Sequence, residues 1–195
     1  YGTKWHDAAK GRKKQTSFDD FIAAVKYLTN ERYTSSAHLA IQGASNGGLL
    51  VSVCMTQHPE LFGAVICQVP VTDMLRFHKF TSGKYWIDEF GNPDNPHDAL
   101  YLSTYSPYHN VKPNNYPATL VLTADHDDRV VPAHALKFVA TLQKNNLAHT
   151  PVLLKMETAT GHGFGKSCQK VIEQTADIYT FLQNILMDKR QMNTS

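Results

Sequence analysis

The chain has 195 residues, enough for one domain with its own core, and 42% hydrophobic with 18% charged residues is ordinary for a globular protein. A formal net charge of +2 gives no reason to expect nucleic acid or an anionic membrane surface as a partner. No apolar run approaches the ~20 residues of a membrane span. Three cysteines, Cys54, Cys67 and Cys168, are odd in number and lack metal-type spacing. Cys54 and Cys67 lie in apolar runs, which points to buried free thiols in a reducing, cytoplasmic setting. The first residue is Tyr1, not Met, so the chain reads as a piece of a longer protein.

Tyr1–Thr16 has no clear periodicity; Tyr1–His6 reads as a loop with aromatic anchors, and Lys10–Lys14 as a solvated, loop-like basic stretch. Ser17 offers an N-cap with Asp20 three residues on, and Phe18, Phe21, Ile22, Val25 and Leu28 follow at helical spacing. Thr34-Ser35-Ser36 is a turn before a short strand over His38–Gln42. An apolar helix then runs to about Gln57, where His58-Pro59 ends it. Gly63–Val69 is a second strand, and Thr72–Gly91 is mixed and aromatic. Tyr101–Pro117, with its aromatics and prolines, reads as an ordered loop. Ala118–Ala124 is a third strand, Pro132–Lys144 a helix, Pro151–Met156 a fourth strand and Cys168–Met187 a last amphipathic helix. Strands alternating with helices predict an α/β fold with a mostly parallel sheet and helices on both faces.

Between the first strand and its helix, Gly43-Ala44-Ser45-Asn46-Gly47 fits G-x-S-x-G, with Gly48 next. Strand, tight turn and helix around a serine form the context of a nucleophile elbow. The turn holds the serine in a strained conformation, and small neighbours let strand and helix approach. Ser45 sits at a helix N-terminus, and the N–H of Asn46 is the natural oxyanion donor. Serine becomes a nucleophile only when a base takes its proton and an acid holds that base in one tautomer. In hydrolases of this class the order is serine, acid, histidine, each after a strand. The third strand runs into Asp125-His126-Asp127-Asp128-Arg129, and the fourth runs toward Thr160-Gly161-His162-Gly163-Phe164-Gly165. His162, between glycines, is the candidate base. Spacing alone does not separate Asp125, Asp127 and Asp128, any of which can also cap the helix after Pro132.

The runs YGTKWH, FDDFIAAVKYL, GASNGGLL, HPELFGAVICQVPVTDMLRFHKF, YSPYHNV, LTADHDDRVVPAHALKFVATLQ and GHGFGK resemble the catalytic domain of the prolyl oligopeptidase family. These are serine peptidases of the α/β-hydrolase fold, and the likeness spans nearly everything from Tyr1 to about Ile185. It implies Ser45 as nucleophile, Asp127 as acid, His162 as base and Asn46 as an oxyanion N–H. It matches Trp86 to the indole that stacks on the substrate proline and Arg129 to the arginine that binds an upstream peptide carbonyl. Val71, Val130 and Phe90 match pocket walls, with Phe90 where the family often has tyrosine. YSPYHNV matches a family stretch with no chemistry assigned. The family's β-propeller, its first hydrolase strands and a tyrosine that donates the second oxyanion hydrogen bond all precede this segment.

The resemblance therefore implies one partial peptidase catalytic domain over residues 1–195. Its reaction is cleavage after proline in short peptides through an acyl-enzyme, without metal or cofactor, by a protein that is monomeric when complete. Two other readings stand beside it. One is a peptidase like oligopeptidase B, with Asp88 or Glu89 facing a basic side chain. The other is a truncated, inactive α/β module.

Overall fold

The computed structural model describes residues 2–158, 161–162 and 167–187. Four strands, β1 (Ala40–Ala44), β2 (Ala64–Gln68), β3 (Ala118–Ala124) and β4 (Val152–Glu157), form one parallel sheet in the order β1-β2-β3-β4. The helices are α1 (Gly2–Asp7), α2 (Gln15–Asn30), α3 (Asn46–Gln57), α4 (Ile87–Phe90), α5 (Pro96–Tyr105), α6 (Pro107–Asn110), α7 (Ala133–Asn145) and α8 (Cys168–Leu186).

Alternation along the central strands sorts two cores. Val65, Cys67 and Val121 face the layer of α2, α3 and α7, where they pack with Phe18, Leu49, Met55 and Phe138. Ala64, Ile66, Ala118, Leu120 and Leu122 face α8, which covers them with Ile178 and Phe181. Both faces of β3 are buried along its whole length, as expected for a parallel sheet between helical layers. α3 is buried almost all round, from Gly48 through Met55, which is why its sequence is apolar without a polar stripe. Each large apolar side chain so removed from water contributes about 1.5–3 kcal/mol.

The strand expected over His38–Gln42 lies two residues later. The Ser35 hydroxyl, 2.9 Å from His38 Nδ1, holds Ser36–His38 in a 3₁₀ turn, so the chain joins the sheet only at Ala40. Residues 1–16 are more ordered than a loop: α1 and a 3₁₀ turn at Gly11–Lys13 occupy them, with Tyr1 itself outside the described residues. α2 starts at Gln15 instead of after a Ser17 cap, because the Gln15 N–H is satisfied by the Tyr101 hydroxyl at 2.9 Å. The stretch from 101 to 117 contains the end of α5 and all of α6. Its Pro107, like Pro96, stands at a helix N1 position, where a missing N–H costs nothing.

Candidate active site

Ser45 follows β1 directly and caps α3 with φ 57° and ψ −115°. A non-glycine residue in that region is strained and persists only where its surroundings over-determine it. Here the Ser45 N–H donates to the Gln68 carbonyl at the end of β2 (2.9 Å), and the Ser45 carbonyl accepts from Leu49 N–H (3.0 Å). A Cβ on Gly43 would lie 2.1 Å from the Gly47 carbonyl oxygen, and one on Gly48 would lie 2.8 Å from Pro70 Cα. A Cβ on Gly47 would meet nothing within 4 Å, so Gly47 matters for where its carbonyl passes. Asn46 opens α3, and its N–H has no acceptor within the helix.

The loop after β3 separates its three acids. The Asp125 carboxylate is 2.7 Å from the ring of exposed His126. Asp128 is exposed, and its carbonyl accepts hydrogen bonds from the Thr81 and Ser82 hydroxyls. Asp127 has a fully buried side chain. Its Oδ1 accepts from the N–H groups of Arg129 (3.0 Å) and Val130 (2.8 Å), and its Oδ2 is left free to lie 2.7 Å from His162 Nδ1. His162 Nε2 is in turn 3.2 Å from Ser45 Oγ. Acceptance by Asp127 fixes the Nδ1–H tautomer and turns the Nε2 lone pair to the serine. Gly161 is described, whereas Gly163, Phe164, Gly165 and Thr160 lie outside the described residues.

Beside the serine is a cavity of about 150 Å³ lined by Ser45, Asn46, Val71, Trp86, Glu89, Phe90 and Arg129. Trp86 packs near-parallel to Phe77 (17°, centroids 6.4 Å apart), and Phe90 meets Phe77 edge-on. Phe77 is fully buried, so it backs the aromatic wall. Val130 does not line this cavity. It is buried in the core, and the group it presents to the site is the N–H that holds Asp127.

The profile of the prolyl oligopeptidase family matches residues 1–189. The chain belongs to the prolyl oligopeptidase family. It is 48% identical over 183 residues to the prolyl endopeptidase of Elizabethkingia miricola, covering 93% of this chain and 26% of that protein. A structure from a study of two prolyl endopeptidases superposes with a TM-score of 0.93 at 51% identity, over 95% of this chain and 28% of that one. Oligopeptidase B from Leishmania major matches at 30% identity with a TM-score of 0.89, over 92% of this chain and 25% of that one. The chain thus spans about a quarter of the length of the relatives it matches. The fold is that of the α/β-hydrolase domain of prolyl oligopeptidases.

Two features of this prolyl oligopeptidase site carry no local signal in the sequence. First, Lys10–Lys14 is not a solvated loop: Lys10 pairs with Asp88 (3.0 Å), Arg12 with Asp98 (2.9 Å) and Lys14 with Glu89 (2.8 Å). Glu89 also meets His6 Nε2 at 2.7 Å. Burial pushes the Glu89 carboxyl up, but the hydrogen bonds from Lys14 and His6 outweigh it and hold the group below its ordinary value. Second, a buried polar cluster ties the loop after β2 to α6 and α7. His134 Nδ1 accepts from the N–H groups of Thr72 (3.3 Å) and Asp73 (3.1 Å), and Ser106 Oγ accepts from Met74 N–H (3.0 Å). The Asp73 carboxylate is paired with Lys137. The stretch Tyr105–Val111 therefore has a packing role beneath the site. All these partners lie 32 to 86 residues apart, beyond the reach of periodicity.

No helix among the described residues is long and apolar enough to cross a membrane. Cys54 and Cys67 are fully buried, and burial pushes both thiols up to about 12.

Proposed function

We propose that this chain is part of the catalytic domain of a serine endopeptidase that cleaves on the carboxyl side of proline in short peptides. The observation that carries the reading is the hydrogen-bonded series Ser45–His162–Asp127 beside a small aromatic cavity. Ser45 Oγ attacks the scissile carbonyl while His162 Nε2 takes its proton, and Asp127 stabilises the imidazolium that forms. The oxyanion is received by the N–H of Asn46. His162 then passes the proton to the leaving amine, and water repeats the sequence on the acyl-enzyme. No residue in this scheme calls for a metal or cofactor.

The proline ring stacks on Trp86 and is enclosed by Phe90 and Val71, while the Arg129 guanidinium binds a carbonyl upstream. A flat apolar wall suits a compact ring with no polar edge, and a rigid cationic donor suits a carbonyl. A basic side chain fits less well. Glu89 is already paired with Lys14 and His6, and Asp88 is paired with Lys10. Residues 1–195 form part of that catalytic domain, the complete protein acts as a monomer, and the three free thiols suit the cytoplasm.

A fluorophosphonate tests the nucleophile. The complete protein should take up one phosphonyl group, mapped to the peptide that contains Ser45, and Ser45→Ala should take up none. Labelling at another serine, or none in the native protein, contradicts the reading and favours an inactive module.

A further inference from the structure

Among the described residues that line the Trp86 cavity, Glu89 is the only carboxylate. It lies three residues after Trp86 in α4, a helix of four residues that is followed by Gly91 at φ 103°. One turn of helix does not hold itself in place. The position of this wall is set by what its side chains touch. From one side Phe77 packs on both Trp86 and Phe90. From the other comes Lys14, whose residue is only 6% exposed. Its Nζ lies 2.8 Å from Glu89 Oε1 and 5.4 Å from the centre of the Phe90 ring. A lysine is rarely this buried unless it is paired. His6 closes the other carboxylate oxygen at 2.7 Å. The pairs Lys10–Asp88 and Arg12–Asp98 run alongside, so residues 6 to 14 are laid against the segment that carries the pocket wall.

We propose that Lys14 is a specificity-positioning residue: through Glu89 it fixes the short helix carrying Phe90 beside Trp86, and so keeps the wall aromatic and neutral toward a proline ring. This rests on the proline reading above. Without Lys14, the largely covered Glu89 carboxylate keeps only exposed His6 as a partner and turns toward water, either outward or into the cavity. Outward motion draws Phe90 with it, and inward motion sets a negative charge beside the ring. Both weaken binding of the proline residue in the ground state and in the transition state alike, which raises KM more than it lowers kcat. Ser45, His162 and Asp127 stand on other elements and keep their geometry.

The test uses the complete protein, reporter peptides ending in proline or arginine, and the labelling rate of Ser45 by a small fluorophosphonate. The variants are Lys14→Met, Lys14→Arg, Glu89→Gln and the double variant Lys14→Met/Glu89→Gln. Lys14→Met should raise KM for the proline reporter about tenfold or more, with kcat and labelling within about twofold of wild type. Lys14→Arg, which keeps the charge, should recover most of that loss. The double variant should be no worse than Lys14→Met, because both act through one contact. Three results overturn the proposal: an unchanged KM in Lys14→Met, a parallel fall of kcat, KM-based affinity and labelling, or additive losses in the double variant. A wild-type protein that prefers the arginine reporter overturns the proline reading itself, before any variant is compared.

Discussion

At the scale of the residue, the loop after β3 shows how one carboxylate is singled out from three. Asp127 spends one oxygen on the N–H groups of Arg129 and Val130 and has the other left for His162. Asp125 faces His126 instead, and Asp128 lies in the open. Asp127→Asn should therefore lower kcat by about 10³–10⁴-fold in the complete protein, through loss of the correct imidazole tautomer. Asp125→Asn and Asp128→Asn should each stay within about tenfold of wild type. Steady-state kinetics on a proline reporter decide it, and a larger loss at Asp125 or Asp128 would refute the assignment. Trp86 permits a second test, because one face of its ring rests on Phe77 and the residue also lines the cavity. Trp86→Ala should cut kcat/KM for the proline reporter by about 10–200-fold, the range that apolar contact commands. Fluorophosphonate labelling of Ser45 should continue. Joint loss of both activities would make Trp86 a core residue instead of a specificity residue.

At the scale of the element, the turn between β1 and α3 depends on close backbone passage. A methyl group on Gly43 or Gly48 runs into backbone atoms at 2.1 and 2.8 Å, whereas one on Gly47 enters open space. Gly43→Ala and Gly48→Ala should each destabilise by about 1–3 kcal/mol or more. Gly47→Ala, inside a helix and without strain, should be neutral or stabilising by up to about 1 kcal/mol. Denaturant midpoints compare the three, and equal losses would refute the steric argument. The contact between the loop after β2 and α7 has a pH signature. Burial lowers the His134 imidazole to about 4, and its Nδ1 is committed as an acceptor. A histidine depressed in the native state is protonated first in the unfolded state, so stability is full above about pH 6.5 and falls as pH drops toward 4. The loss is on the order of 3 kcal/mol over that window. Unfolding midpoints measured between pH 7 and 4 should show a slope that His134→Asn flattens, and an unchanged slope would refute the assignment.

The same contrast explains what the sequence made legible. β3 was readable to the residue because an all-apolar run with turns at both ends has one interpretation inside a parallel sheet. The elbow was readable because Ser45 needs its glycines within a few positions. α6 is hidden in the sequence because Pro107, which reads as a loop signal, stands at a helix N1 position. The start of α2 was missed because its N–H partner, Tyr101, is 86 residues away. Lys14 looks solvated in the sequence for the same reason: its partner Glu89 comes 75 residues later.

At the scale of the whole molecule, parallel strands bring distant residues to one edge. β1, β3 and β4 all run the same way, so Ser45, Asp127 and His162 emerge together at their carboxyl ends, where open α/β sheets place their chemistry. The cavity wall proposed to read proline comes from a different part of the chain, the excursion between β2 and β3 that carries Trp86 and Phe90. In the proposed reading, reaction and selectivity rest on separate supports, and the proline and basic-residue readings differ only in the second. The direct measurement is the ratio of kcat/KM for two reporter peptides that differ only in proline or arginine before the scissile bond, made on the complete protein. The aromatic cavity and the paired state of Glu89 predict a ratio of about 100 or more in favour of proline. A ratio near one, or one favouring arginine, would contradict the account.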